Sequence, residues 1–160
     1  MSAENPGIAV REFEAGDEEA FRRLNVEWIS RYFKLEPKDE YVFQNPRATI
    51  LDGGGRIFFA ERGGELVGCC ALVAMGPGEF EVAKMAVTMS AQGLGIGRLV
   101  LQRAVDAARA AGATRLYLET NHALTPAIHL YEDVGFRHIP KERVKPSPYE
   151  RTEVFMEMVL

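Results

Sequence analysis

The sequence predicts an α/β (α+β) protein built around one mixed sheet. The first half of the chain reads as strands joined by glycine turns, the pattern of antiparallel neighbours. The second half reads strand–helix–strand, and the right-handed sense of such crossovers makes its two strands parallel. With 160 residues, 47% of them hydrophobic and 26% charged, the chain is long enough for a single domain over residues 1–160 with a sizeable core.

The elements follow in order. Ile8 to Phe13 reads as a strand. Asp17 is placed to cap a helix reaching about Tyr32, in which Phe21, Leu24 and Trp28 share a face. Glu36-Pro37 interrupts it, and a short helical piece is expected from Asn45 to Leu51. Arg56–Glu61 and Glu65–Ala74 flank Gly63-Gly64 as a hairpin, and Phe80–Thr88 returns after Gly76-Pro77-Gly78. Gly95–Ala111 carries Gly97, Leu101, Ala104, Val105, Ala108 and Ala111 along one side, opposite Arg98, Gln102, Arg103, Asp106 and Arg109, and stops at Gly112. Arg115–Thr120 is a strand. Thr125-Pro126 opens a helix that ends at Gly135, and Phe136–Ile139 and Glu153–Met158 form a closing antiparallel pair.

Composition excludes some functions. A net charge of −4 argues against binding nucleic acid by phosphate neutralisation and, more weakly, against anionic membranes. Cys69 and Cys70 are adjacent and should point to opposite faces of a strand as small buried hydrophobes, not as a disulfide. His122, His129 and His138 share no ligand spacing, so no metal is expected. The opening MSAENPGIAV lacks the basic segment and apolar run of a secretory leader, and no stretch approaches the roughly 20 apolar residues of a membrane span. The expectation is a cytoplasmic protein.

Chemistry concentrates in Gln92-Gly93-Leu94-Gly95-Ile96-Gly97-Arg98, which follows a strand and opens a helix. Glycines let a ligand approach the backbone, and the free amides of a helix start favour an anion such as a pyrophosphate. The spacing is G-x-G-x-G, past mid-chain and after antiparallel strands, which fits neither a dinucleotide-binding G-x-G-x-x-G nor a Walker loop. A glycine-rich turn that merely packs helix against sheet is the alternative.

Three segments in register resolve that alternative by resemblance. Gln92-x-x-Gly95-x-Gly97 resembles the R/Q-x-x-G-x-G/A signature of the GNAT superfamily of acetyl-CoA-dependent N-acyltransferases. Met85-Ala86-Val87 resembles the end of that family's fourth strand. Ala127-x-x-Leu130-Tyr131-x-x-x-Gly135-Phe136 resembles its A-x-x-L-Y-x-x-x-G-F segment. The resemblance implies a central mixed sheet of six to seven strands flanked by about four helices. It also implies transfer of an acetyl group from acetyl-CoA to an amine by direct attack through a tetrahedral intermediate, without a metal. The chain departs at Leu124, where many members carry a cofactor-contacting Asn, and Asn121 is the nearby substitute.

The resemblance also assigns roles. Amides of Gly93 and Leu94 to Arg98, with Gln92, hold the pyrophosphate. The main chain of Ala86, Val87 and Thr88 pairs with the pantetheine arm where the fourth and fifth strands splay near a bulge, and an amide near Val87 polarises the thioester carbonyl. Tyr131, protonated at neutral pH, donates to the leaving thiolate. Glu81, six residues before Val87, resembles the general base of histone-acetylating members and by even separation should share Val87's face; Glu79, Glu119 or a water chain are alternatives. Lys84, at odd separation from Glu81, should face away as a structural charge unless a bulge intervenes. Recognition varies in the first helices and the last loop, which here supply Trp28, Arg31, Tyr32, Phe33, Tyr41, Tyr149 and Arg151. Aromatics with two arginines suit a small substrate bearing a carboxylate. The acceptor remains open between a small molecule and a peptide amine, a homodimer is possible as in many relatives, and a non-catalytic acyl-CoA-sensing module is the alternative function.

Overall fold

A computed structural model describes residues 7–160; most of the N-terminal segment read above for a leader, residues 1–6, lies outside the described residues. Seven strands form one mixed sheet in the order β1-β2-β3-β4-β5-β7-β6. They are β1 Ile8–Glu12, β2 Arg56–Arg62, β3 Glu65–Gly76, β4 Glu79–Val87, β5 Arg115–Thr120, β6 Arg137–His138 and β7 Val154–Val159. Four α-helices cover it: α1 Glu18–Tyr32, α2 Pro37–Gln44, α3 Ile96–Ala110 and α4 Thr125–Val134. The expected mixed topology is present, with β1 to β4 antiparallel and β4 parallel to β5 across the α3 crossover.

Each sheet face has its own core. Phe21, Phe43, Ile57, Phe59, Cys69 and Ala71 pack under α1 and α2, and Phe58, Cys70, Leu72, Val82, Leu101 and Leu116 under α3 and α4. Strands β2 and β3 are buried on both faces, so their middles read as unbroken apolar runs. Cys69 and Cys70 separate onto opposite faces as free, buried thiols, and burial raises Cys69 to about 12.

Three readings need correction. Glu36-Pro37 does not interrupt α1, which ends at Tyr32; it starts α2, because proline suits the first helical turn and Asp39 closes back on the Glu36 amide at 2.9 Å. The piece expected at Asn45–Leu51 shrinks to a single wide turn at Arg47–Leu51, closed by Asp52 N–H donating to the Arg47 carbonyl at 2.7 Å. Caps also shift: Asp17 receives Arg11 and the Glu14 amide instead of capping α1, and Leu124, not Thr125, holds the N-cap position of α4.

The decisive departure from regular structure lies in β4. Cys69 faces Ala86 and Ala71 faces Ala83, so β4 has one more residue than β3 between these pairs. Lys84 takes the extra position at φ 55°, the sole non-glycine residue with positive φ among the described residues. Pairing with β5 ends at Glu81–Tyr117, so β4 beyond that point runs free of its parallel neighbour. The bulge breaks the parity argument. Glu81 pairs with Val73, which belongs to the α1/α2 side, whereas Val87 pairs with Gly68 beneath Ile96 of α3. The two therefore lie on opposite faces, and Lys84 turns toward Glu81 instead of away from it.

Candidate active site

Two cavities meet where β4 leaves β5. The larger, about 390 Å³, lies between the end of β4, the start of α3 and α4, and is lined by Ala86, Val87, Gln92, Gly93, Gly95, Ile96, Gly97, Arg98, Ala127 and Leu130 among others. Part of its wall is the glycine turn that opens α3. Gly93 and Gly95 stand at φ 82° and 77°, which side chains rarely adopt. Gly95 sits at the N-cap of α3, and no side chain caps that helix. The first bond back to it is Leu99 N–H to the Gly95 carbonyl at 3.1 Å, so the amides of Ile96, Gly97 and Arg98 ahead of it are left for an anion. Gly68 makes this position possible, since a Cβ there would stand 2.6 Å from Ile96 Cγ2.

The smaller cavity, about 110 Å³, opens on the other side of the bulge. Asn25, Trp28 and Ile29 reach it from α1 and Phe33 from just after it, Glu81 to Met85 from β4, Glu119 and Thr120 from β5 with Asn121 following, and Tyr149, Arg151 and Thr152 from the loop before β7. Trp28, Met85, Leu124 and Tyr131 line both cavities. Tyr131 is buried, and burial, with the nearby Cys70 thiol, raises its pKa further above that of a free phenol. It therefore stays protonated and able to donate.

The small cavity is a network of charges. Asp39, wholly buried, takes both terminal nitrogens of Arg151 at 2.9 and 2.7 Å and faces Lys84 Nζ at 3.5 Å. Burial pushes Asp39 up, but Arg151, the Glu36 amide and Lys84 hold it net below the usual carboxylate range. Arg151 also donates to Glu36 at 3.2 Å. Lys84 Nζ donates to the Tyr149 hydroxyl at 2.8 Å and lies 4.4 Å from that ring's centre; burial lowers its pKa. The bulge that aims Lys84 is itself held, because Cys69 Sγ donates to the Lys84 carbonyl at 3.3 Å while Asn25 donates to the sulfur at 3.4 Å.

Two carboxylates in this cavity behave differently. Glu119 accepts from Ser147 at 2.5 Å, Thr152 at 3.1 Å and Tyr117 at 2.8 Å. Glu81 is held by none of these bonds. Burial, then the charge of Glu119, raises its pKa to about 7 against the opposing pull of Lys84 and Lys38. A carboxylate at that value is half ionised at neutral pH and is a far stronger base than an exposed one. Glu79 is removed from this cavity, pairing with Arg115 at 3.2 Å.

Several expected contacts move. Leu94 is at an exposed tip, outside the set that lines the cleft. Thr88 is engaged within the protein, its amide donating to Val67 and its hydroxyl to Glu27, each at 2.9 Å. Asn121 faces the smaller cavity, with its amide donating to the Arg151 carbonyl at 2.7 Å and its oxygen accepting from Ala123 N–H at 2.8 Å. Gln92 donates to the Val87 carbonyl at 3.1 Å and so fixes the end of β4. Trp28 and Tyr149 line the small cavity, but Tyr32 lines the large one, Tyr41 is exposed and lines neither, and Arg31 rests over the Tyr32 ring in solvent. The expected carboxylate-binding pair of arginines does not form, since Arg151 is already matched by Asp39 and Glu36.

Asp39, Lys84, Asn25, Cys69, Glu27 and Gly68 were not expected at the site. Asp39 had a sequence signal, three residues after Glu36 as in a capping box, and Lys84 depended on a bulge in β4. Among the described residues no cluster of three potential metal ligands occurs, and no helix is long and apolar enough to cross a membrane.

The model of the acetyltransferase (GNAT) family matches residues 19–136. The chain is 39% identical over 115 residues to the IAA acetyltransferase of Azospirillum brasilense, covering 70% of this chain and 72% of that one. It is 32% identical over 148 residues to the mycothiol acetyltransferase of Thermomonospora curvata, covering 89% of this chain and 48% of the relative, so it spans about half of that protein's length. The crystal structure of an acetyltransferase of the GNAT family from Staphylococcus aureus Mu50 superimposes with a TM-score of 0.85 at 20% identity, covering 95% of this chain and 98% of that one.

Proposed function

Because the chain belongs to the acetyltransferase (GNAT) family, we propose that it transfers the acetyl group of acetyl-CoA to a primary amine, with Glu81 as base and Tyr131 as acid. The observation that supports this most directly is the placement of Tyr131 on both cavities. The cleft beside it presents the anion-ready amides of α3 and the free length of β4. The pocket on its other side presents a carboxylate tuned to about 7.

The unpaired end of β4 offers main-chain groups to the amide-rich arm of acetyl-CoA as an added strand would. The start of α3 receives the pyrophosphate. In the small pocket, Glu81 accepts a proton from an ammonium group whose ordinary pKa is about 10, freeing the nitrogen lone pair. The nitrogen then bonds to the acetyl carbon, the carbon–sulfur bond breaks, and Tyr131 donates its proton to the departing sulfur. The attacking nitrogen gives up its second proton to the phenolate, Glu81 returns its own to solvent, and amide, free thiol and one solvated proton are the products.

Thiol release from acetyl-CoA across a library of amines tests the assignment. Tyr131→Phe should lower kcat by about 10²-fold while changing acetyl-CoA affinity less than about twofold. Loss of affinity with kcat intact at saturation reassigns Tyr131 to binding. Binding of acetyl-CoA with no thiol released by any amine replaces the enzyme with a sensing module.

A further inference from the structure

Resting on the acetyl-transfer reading above, we propose that the acceptor is a small primary amine bearing no carboxylate, and that Glu119 receives its second hydrogen-bond donor. The two cations that line the pocket are already matched. Arg151 is locked on Asp39 and Glu36, and Lys84 is shared between Asp39 and the Tyr149 hydroxyl. A substrate carboxylate would have to compete for them with Asp39, which is wholly buried and also receives the Glu36 amide, with only the third N–H of Lys84 left to offer. It would also meet Glu81 and Glu119, two carboxylates that form no ion pair among the described residues, in a pocket of about 110 Å³. Like charges forced together in a confined site are a strong rejecting element.

The same walls suit a cation. Trp28, Phe33 and Tyr149 supply aromatic surface. A carboxylate offers about four acceptor positions. Three of those on Glu119 are occupied, two on Oε1 by Ser147 and Thr152 and one on Oε2 by Tyr117. The remaining one belongs to a residue that lines the pocket beside Glu81, the place where a hydroxyl or second amine of the acceptor would lie. The loop before β7 is tied down along this flank by Arg151 to Asp39, Ser147 to Glu119 and the Glu150 amide to Glu36 at 3.3 Å, which favours a short acceptor over a peptide chain.

The test measures thiol release with pairs that differ by one carboxylate: ethanolamine against serine, and 1,3-diaminopropane against 2,4-diaminobutyrate. Propylamine and a short peptide complete the panel. The member without the carboxylate should have the higher kcat/KM by at least about tenfold, and 1,3-diaminopropane should exceed propylamine. Glu119→Gln should bring that last ratio close to one, since any effect of the variant on Glu81 acts on both amines alike. Glu119→Asp, read by the same ratio, serves if the Gln variant does not fold. Serine, 2,4-diaminobutyrate or the peptide reacting as fast or faster, or a diamine preference that survives in the variant, overturns this inference and leaves acetyl transfer standing. No thiol from any amine, with the wild-type protein folded, overturns both.

Discussion

On one side of Tyr131 the cleft offers main chain: unpaired β4 backbone, the uncapped start of α3, and glycines in conformations that side chains rarely adopt. On the other side the pocket is made of side chains from α1, β4, β5 and the loop before β7, with α2 behind them. The first takes its glycine turn and helix start from one contiguous stretch, Ala86 to Arg98, and in the proposed reading it receives the parts common to every acetyl-CoA. The second needs five elements brought together, and in the proposed reading its charges select the amine. Common and variable functions thus divide at the β4 bulge, where Lys84 leaves the regular register.

The sharpest way to separate the two sides is Glu81→Gln. It should lower kcat/KM for the amine by about 10²- to 10⁴-fold, while acetyl-CoA affinity measured by calorimetry stays within about twofold. A comparable loss of acetyl-CoA affinity would show that the sides are not separable. Next in size is Asp39→Asn, which leaves Arg151 and Lys84 without their shared buried carboxylate. Urea unfolding should show a loss of about 3 kcal/mol, a destabilisation larger than that expected for changes to exposed charges such as Arg98, paired with Asp133 in solvent at 3.2 Å.

On the cleft side, Gly95→Val puts a β-branched residue at φ 77°. It should weaken acetyl-CoA binding by at least about tenfold with little change in kcat at saturation, the mirror image of Glu81→Gln. The smallest effect expected is on the pH profile. Glu81 is faced by Glu119 of β5, Lys84 of β4, Lys38 of α2 and Tyr149 of the last loop, and its pKa of about 7 is raised by burial and by Glu119. The base works when ionised, so kcat should fall as the pH drops through about 7. Removing the charge of Glu119 as Gln should shift this acidic limb downward by about half a pH unit. An unmoved limb would assign it to another group.

The strands β2, β3 and β5, the α3 crossover and the turn at Gly93–Gly97 were legible because each is coded locally, by apolar alternation or runs, helical periodicity and glycine spacing. Tyr131 and the end of β4 were legible for the same reason, through contiguous motifs. Helix α2 was missed because its eight residues bury few apolar groups and open on a proline that reads equally as a stop. The face of Glu81 was misjudged because one inserted residue reverses strand parity, and nothing local marks Lys84 as the residue that absorbs it. Arg151 looked free in sequence because Asp39, its partner, lies 112 positions away.

The amino-acid sequence by itself determined the succession of strands and a glycine turn suited to an anion, since both follow from patterns spanning a few residues. Tertiary structure alone decided the charge of the acceptor pocket. Whether a cation is available to a substrate depends on which buried carboxylate lies within hydrogen-bond reach, a distance that chain order does not encode.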